Sequence, residues 1–147
     1  MKKMISSFLL ALLLPLLVLG CVNQDLGAAK KIVAYNQEKY GELPATGTLI
    51  DGIRVIEISA NQFYFEPELI IVNKGEKIRL IISSEDVPHG FEIEGFEIPG
   101  YDIQTVIRKG VPLDIEFTAD EQGVWEFICT IYCGFGHSTM KGTFVIR

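Results

Sequence analysis

The sequence predicts an all-β sandwich of about eight short strands behind an apolar N-terminal segment. From Arg54 to Arg147 apolar and polar residues alternate in short runs, as strands with one buried face do. Those runs are separated by turns bearing Gly and Pro, and no long helical period interrupts them. With 147 residues, 48% of them hydrophobic, the chain has room and apolar mass for one packed domain.

Residues 1–20 come first. Met1, Lys2 and Lys3 precede an apolar run from Phe8 to Leu19, the pattern of a secretory signal. The run ends in Val18–Cys21, "VLGC", which resembles a bacterial lipobox with Cys21 as the lipidated mature N-terminus. The other reading is an uncleaved anchor. Met4 to Val22 spans 19 residues, close to the ~20 that cross a bilayer, although Pro15 and two serines weaken it and Cys21 is left without a role. Either way the globular part is expected at the cell membrane, on its extracytoplasmic face. Two acyl chains would hold it stably where one would not.

Residues 21–50 read as a linker with a short helix, since Leu26, Ala29, Val33 and Tyr40 fall near one helical face. Residues 51–147 form the expected domain. Its strands are read at 54–60, 62–67 (stopped by Pro67), 69–73, 77–83, 90–98 (broken at Pro99-Gly100), 111–120, 124–130 and 142–147, in an antiparallel arrangement. Strict alternation places Trp125, Phe127 and Cys129 on one face, so a thiol emerges at the end of a core strand.

Without residues 1–20, 11 basic residues face 19 acidic ones, a formal charge of −8. Nucleic acid needs a basic face and is excluded as a partner. A basic protein partner fits the charge, and plain solubility accounts for it equally well. No acid/base pair, nucleophile triad or phosphate loop is present, so no intrinsic catalysis is expected.

The stretch "CTIYCGFGHSTM" (129–140) carries Cys129, Cys133, His137 and Met140 in a C-x3-C-x3-H-x2-M spacing. Two cysteines in an exported domain read by default as a disulfide, but that leaves His137 and Met140 unexplained. Thiolate and thioether are soft donors that select copper or zinc. The chain has one further histidine, His89, in "EDVPHGFEI". Zinc could take His89, Cys129, Cys133 and His137 and ignore Met140. A mononuclear blue-copper site would leave one thiolate idle. A two-copper site with both thiolates bridging uses every donor, with Met140 and a backbone carbonyl as weak axial ligands.

"CTIYCGFGHSTM" together with "DVPHGF" resembles the binuclear copper (CuA) domain of cytochrome c oxidase subunit II, and the similar domain of nitrous oxide reductase. The resemblance covers about residues 54–147. It implies a cupredoxin-like Greek-key sandwich and one-electron transfer. It also implies two copper ions bridged by Cys129 and Cys133, with His89 and Met140 on one ion and His137 and the Ile131 carbonyl on the other. The implied donor is a cytochrome c or another small redox protein, and the implied assembly partner is a haem-copper oxidase subunit I. "QFYFEP" resembles the aromatic stretch that faces the electron donor.

Two departures stand out. Many subunit II sequences carry a glutamate where this chain has Ile131, so no magnesium is expected. The donor-facing tryptophan of the family matches Phe63, and Phe63, Tyr64 and Phe135 are candidates for an apolar docking patch. Phe135 reads equally as a buried plug under the loop, while Gly134 and Gly136 let the loop turn tightly. Asp86 reads as a turn former or as a support for the site. The rival functions are a copper storage or delivery lipoprotein and a mononuclear blue-copper carrier.

Overall fold

The computed structural model describes residues 30, 31 and 33–147. The lipobox-like segment, and Cys21 with it, lies outside the described residues. The chain divides into two units, residues 1–35 and 36–147, and the described residues of the first are helical. No described helix is long and apolar enough to cross a membrane.

The second unit opens with helical residues 36–40. Nine strands follow: β1 Thr48–Ile50, β2 Ile53–Asn61, β3 Tyr64–Glu66, β4 Leu69–Val72, β5 Lys77–Ser84, β6 Glu92–Ile93, β7 Leu113–Thr118, β8 Gly123–Ile128 and β9 Lys141–Ile146. One sheet runs β1-β2-β5-β7 with β3 on β2, and the other runs β4-β9-β8-β6.

Alternation decides which face each strand buries. Along β5, Ile78, Leu80, Ile82 and Ser84 point inward, and β2 answers with Ile56, Ile58 and Ala60 in direct register. Ile70, Val72, Phe127, Phe144 and Ile146 of the second sheet complete a single core with them. Burial of each large side chain in such a core contributes roughly 1.5–3 kcal/mol. Phe65, Phe91 and Phe127 form one aromatic group, with ring centroids 5.3–5.9 Å apart. Phe91 and Phe127 stand two residues from His89 and Cys129, so this group anchors both site-bearing segments.

The pairing departs from the antiparallel expectation in two places. β2 runs parallel to β5, and β4 runs parallel to β9. Hydrophobic alternation has the same period in either direction, so it carries no information on strand sense. The strand expected over 90–98 is ordered as a strand only at Glu92–Ile93. Beyond it, Gly95 and Gly100 take φ of +75° and +76°, which bends the chain out of the sheet. β1, in contrast, falls in the stretch read as linker. All three of its residues are exposed, so it carries no alternation signal.

Three connections meet at one end of the sandwich: the β2–β3 turn with Gln62 and Phe63, the segment after β5 with Asp86 and His89, and the β8–β9 loop 129–140. Their mutual hydrogen bonds are described below. At the other end, Arg54 pairs with Glu76 at 2.6 Å. There the Arg147 guanidinium also donates to Asn73 Oδ1 and to the carbonyls of Tyr40, Gly41 and Leu43.

Candidate metal centre

Loop 129–140 leaves the sheet where β8 stops and returns where β9 begins. Cys129 N donates to Met140 O at 3.2 Å, which closes the base of the loop. Within it, Gly134 has φ +137°, a conformation that side chains rarely adopt. A 3-10 turn at His137–Thr139 then delivers Met140 into the interior. His89 is fixed differently. It exchanges both backbone hydrogen bonds with Ile107, at 3.1 and 2.8 Å, and its side chain is fully buried.

These elements gather the predicted donors. His89, Cys129 and Cys133 are all buried, with ligand atoms within 4.8 Å of one another. His89 Nδ1 lies 3.7 Å from Cys129 Sγ, and Cys133 Sγ lies 3.7 Å from Met140 Sδ. The Ile131 carbonyl accepts from the Cys129 thiol at 3.1 Å. His137 is on the same loop, and its Nε2 is buried without a hydrogen-bond partner. Both thiols are free. Burial, and then the neighbouring Cys129, push the Cys133 thiol up to about 11. A metal arriving here must therefore displace the proton from the Cys133 sulfur.

The tautomer of His89 follows from its partner. Nε2 sits 2.8 Å from Asp86 Oδ1. A carboxylate only accepts, so Nε2 carries the proton and the Nδ1 lone pair is directed at the sulfur. Asp86 also accepts from Gln62 N and Val87 N, each at 2.7 Å. Burial raises the Asp86 carboxyl, but the bonds from His89, Gln62 and Val87 outweigh it and leave it below its ordinary range. Asp86 thus bonds both to its own segment, through Val87 N, and to His89.

The aromatic candidates separate. Phe63 is half-buried, and its ring covers two glycines: a Cβ on Gly136 would stand 2.3 Å from Phe63 Cδ2, and one on Gly134 would stand 2.8 Å from Cε1. Tyr64 is 45% exposed and Phe135 102% exposed, so Phe135 is not a buried plug. Tyr132, which sequence reasoning did not single out, is 70% exposed, with its ring 5.7 Å from that of His137. Gln62 was likewise missed, since a polar residue before an aromatic run carries no signal of its own. Its Nε2 donates to Cys133 O.

A two-sheet β-sandwich with buried histidine and cysteine donors clustered at one end defines a class. The chain belongs to the cupredoxin-like domain family, whose profile matches residues 26–146. Within it the chain is homologous to the second subunits of respiratory oxidases. It is 34% identical to cytochrome c oxidase subunit 2 of Thermus thermophilus over 92 residues, 63% of this chain and 64% of that protein. It is 30% identical to quinol oxidase subunit 2 of Sulfolobus acidocaldarius over 115 residues, 78% of this chain and 67% of that one. A stretch of nitrous-oxide reductase from Ralstonia nicotianae is 30% identical over 80 residues, 52% of this chain and 12% of the enzyme. The chain thus spans less than two thirds of the Thermus subunit it matches. In fold it is similar to a chain of a heme-copper terminal oxidase dimer, with a TM-score of 0.54 at 20% identity, covering 88% of this chain and 96% of that one.

Proposed function

We propose that this chain binds a pair of copper ions at the loop end of the sandwich and passes single electrons through them, as a subunit II-like protein of a haem-copper oxidase. The observation that carries the reading is the buried donor set. His89 Nδ1, two free thiols, the Met140 thioether and the Ile131 carbonyl converge, while His137 Nε2 has no other partner. Soft sulfur with imidazole suits copper, and every donor is used only if two ions are held.

In this reading Cys129 and Cys133 would hold both ions, His89 and Met140 would serve one of them, and His137 and the Ile131 carbonyl would serve the other. The bound copper would supply a one-electron couple. The chain supplies the frame. Asp86 orients His89, and the loop pinned between β8 and β9 keeps the donors in place whichever charge the site carries. The buried aromatic group beside it excludes water. Exposed Phe135 and Tyr64 offer an apolar contact for a cytochrome c or similar donor, set on an acidic chain that attracts a basic one. Cys21 lipidation or an N-terminal anchor would hold the domain at the extracytoplasmic face of the membrane.

The test is copper stoichiometry and EPR on the full chain after loading. Two ions per chain, with one unpaired electron split by both nuclei, is the expected result. One ion with splitting from a single nucleus would instead establish a blue-copper carrier. Labile, EPR-silent copper would establish a storage or delivery protein.

A further inference from the structure

The β2–β3 turn touches both halves of the donor set without donating to a metal itself. The Gln62 side chain reaches across to the carbonyl of Cys133, a bridging thiol in the proposed centre. The Gln62 backbone N donates to Asp86 Oδ2 at 2.7 Å, while the other oxygen of the same carboxylate takes the proton of His89 Nε2 at 2.8 Å. The next residue, Phe63, lays its ring over Gly134 and Gly136, where no side chain would fit. The His89 segment and the cysteine loop are far apart in sequence, and this turn bonds to both.

We propose that Gln62 and Phe63 form a clasp that fixes the cysteine loop against the His89 segment, so that the donors stand in their binding arrangement before copper arrives. This rests on the copper reading above. Gln62 is then a positioning residue, acting through the Cys133 backbone, and Phe63 serves as a lid on the glycine turn. Each tie has a separate physical task. The amide of Gln62 occupies a carbonyl that the tight loop leaves outside any strand ladder. The Phe63 ring excludes the alternative loop conformations that two glycines would otherwise permit. Asp86 passes the restraint on to the imidazole and sets its tautomer. A site arranged in advance loses less conformational freedom when the metal binds, so it holds the metal more tightly.

The clasp is tested in the full chain with Gln62→Ala, with Gln62→Glu (the same size but no donor toward Cys133 O), and with Asp86→Asn. In the reduced, metal-free protein, alkylation of Cys129 and Cys133 is followed by mass on the peptide that carries them. After copper loading, transfer to a chelator is timed, and the reduction potential and thermal midpoint are measured. Loss of one hydrogen bond at the loop should raise alkylation and copper transfer roughly fivefold in both Gln62 variants. The thermal midpoint should fall by only the few degrees that one hydrogen bond accounts for. Asp86→Asn should raise the reduction potential, because a neutral amide supports positive charge at the imidazole less well than a carboxylate does. Unchanged rates in both Gln62 variants would overturn the clasp, as would alkylation in the wild-type chain no faster than global unfolding allows. An unmoved potential in Asp86→Asn would overturn its His89 arm. A wild-type chain that takes up no copper would sink the copper reading instead, and the alkylation rates would still decide whether the turn orders the loop.

Discussion

The two ends of the sandwich treat their polar groups in opposite ways. At the end holding Arg54, both guanidinium groups have found strong acceptors. Arg54 makes a two-pronged bond to Glu76 at 2.6 and 2.7 Å, Asn73 joins the same carboxylate, and Arg147 closes over the carbonyls of the preceding segment. At the loop end His89 Nε2 has its carboxylate and the Cys129 thiol a carbonyl, but the remaining buried ligand atoms have weak partners or none. Two thiols face an imidazole lone pair and a thioether at 3.7 Å, and His137 Nε2 has nothing. Buried polar groups are costly unless bonded. The first end is arranged for stability, whereas the second carries a deficit that a ligand would remove.

The largest effect expected from this contrast is at the loop end. Cys133→Ser removes one sulfur of the proposed centre, so a chain that loads two copper ions should fall to one or none, by metal analysis and EPR. The copper-free protein should also lose about 1–3 kcal/mol, because the buried hydroxyl would meet only the Met140 thioether.

The opposite end should respond in reverse. Glu76→Gln leaves the largely buried Arg54 without its counter-ion and should cost about 2 kcal/mol in denaturant unfolding, the scale of a hydrogen bond between charged groups, while leaving the EPR spectrum unchanged. Its pH dependence has a defined sign. The Arg54 hydrogen bond holds the Glu76 carboxyl at about 2, against an ordinary value of 4.5. A depressed carboxylate contributes its full stability above the ordinary value and loses it as pH falls towards the folded one. Wild-type stability should therefore decline between about pH 4.5 and pH 2, and Glu76→Gln should flatten that decline.

A smaller contrast lies between two glycines. Gly136→Ala would set a Cβ 2.3 Å from Phe63 and force the ring or the loop to move, at about 1–3 kcal/mol, with a faster loss of copper to a chelator. Gly75 has φ +87° and open space around it. Gly75→Ala should therefore cost only the left-handed strain of about 1–2 kcal/mol and leave copper retention unchanged. Equal loss of copper in both variants would mean that the site senses global stability rather than the seat of Phe63.

Much of this was legible in the sequence because it is local. The strands around β2, β5, β7, β8 and β9 follow from alternation, with ends displaced by two residues at most. The candidate donors in 129–140 follow from their types and spacing, since one short loop carries them. Edge strand β1 was not legible, because nothing it exposes is patterned. The failed strand over 90–98 shows the converse: "GFEIEGFEI" alternates, yet two glycines take it out of the sheet.

What the sequence determined by itself is the all-β class, the soft donor set and the loop that presents it, for these depend on neighbours a few residues apart. Only the tertiary structure decided the parallel pairing of β2 with β5 and of β4 with β9, the tautomer of His89 through Asp86, and the seat of Phe63 on Gly134 and Gly136. Each of these joins segments that are distant in sequence. Their hydrogen bonds and contacts form only once the core has closed, and no period or spacing along the chain encodes which distant partner a carbonyl, a carboxylate or a ring will meet.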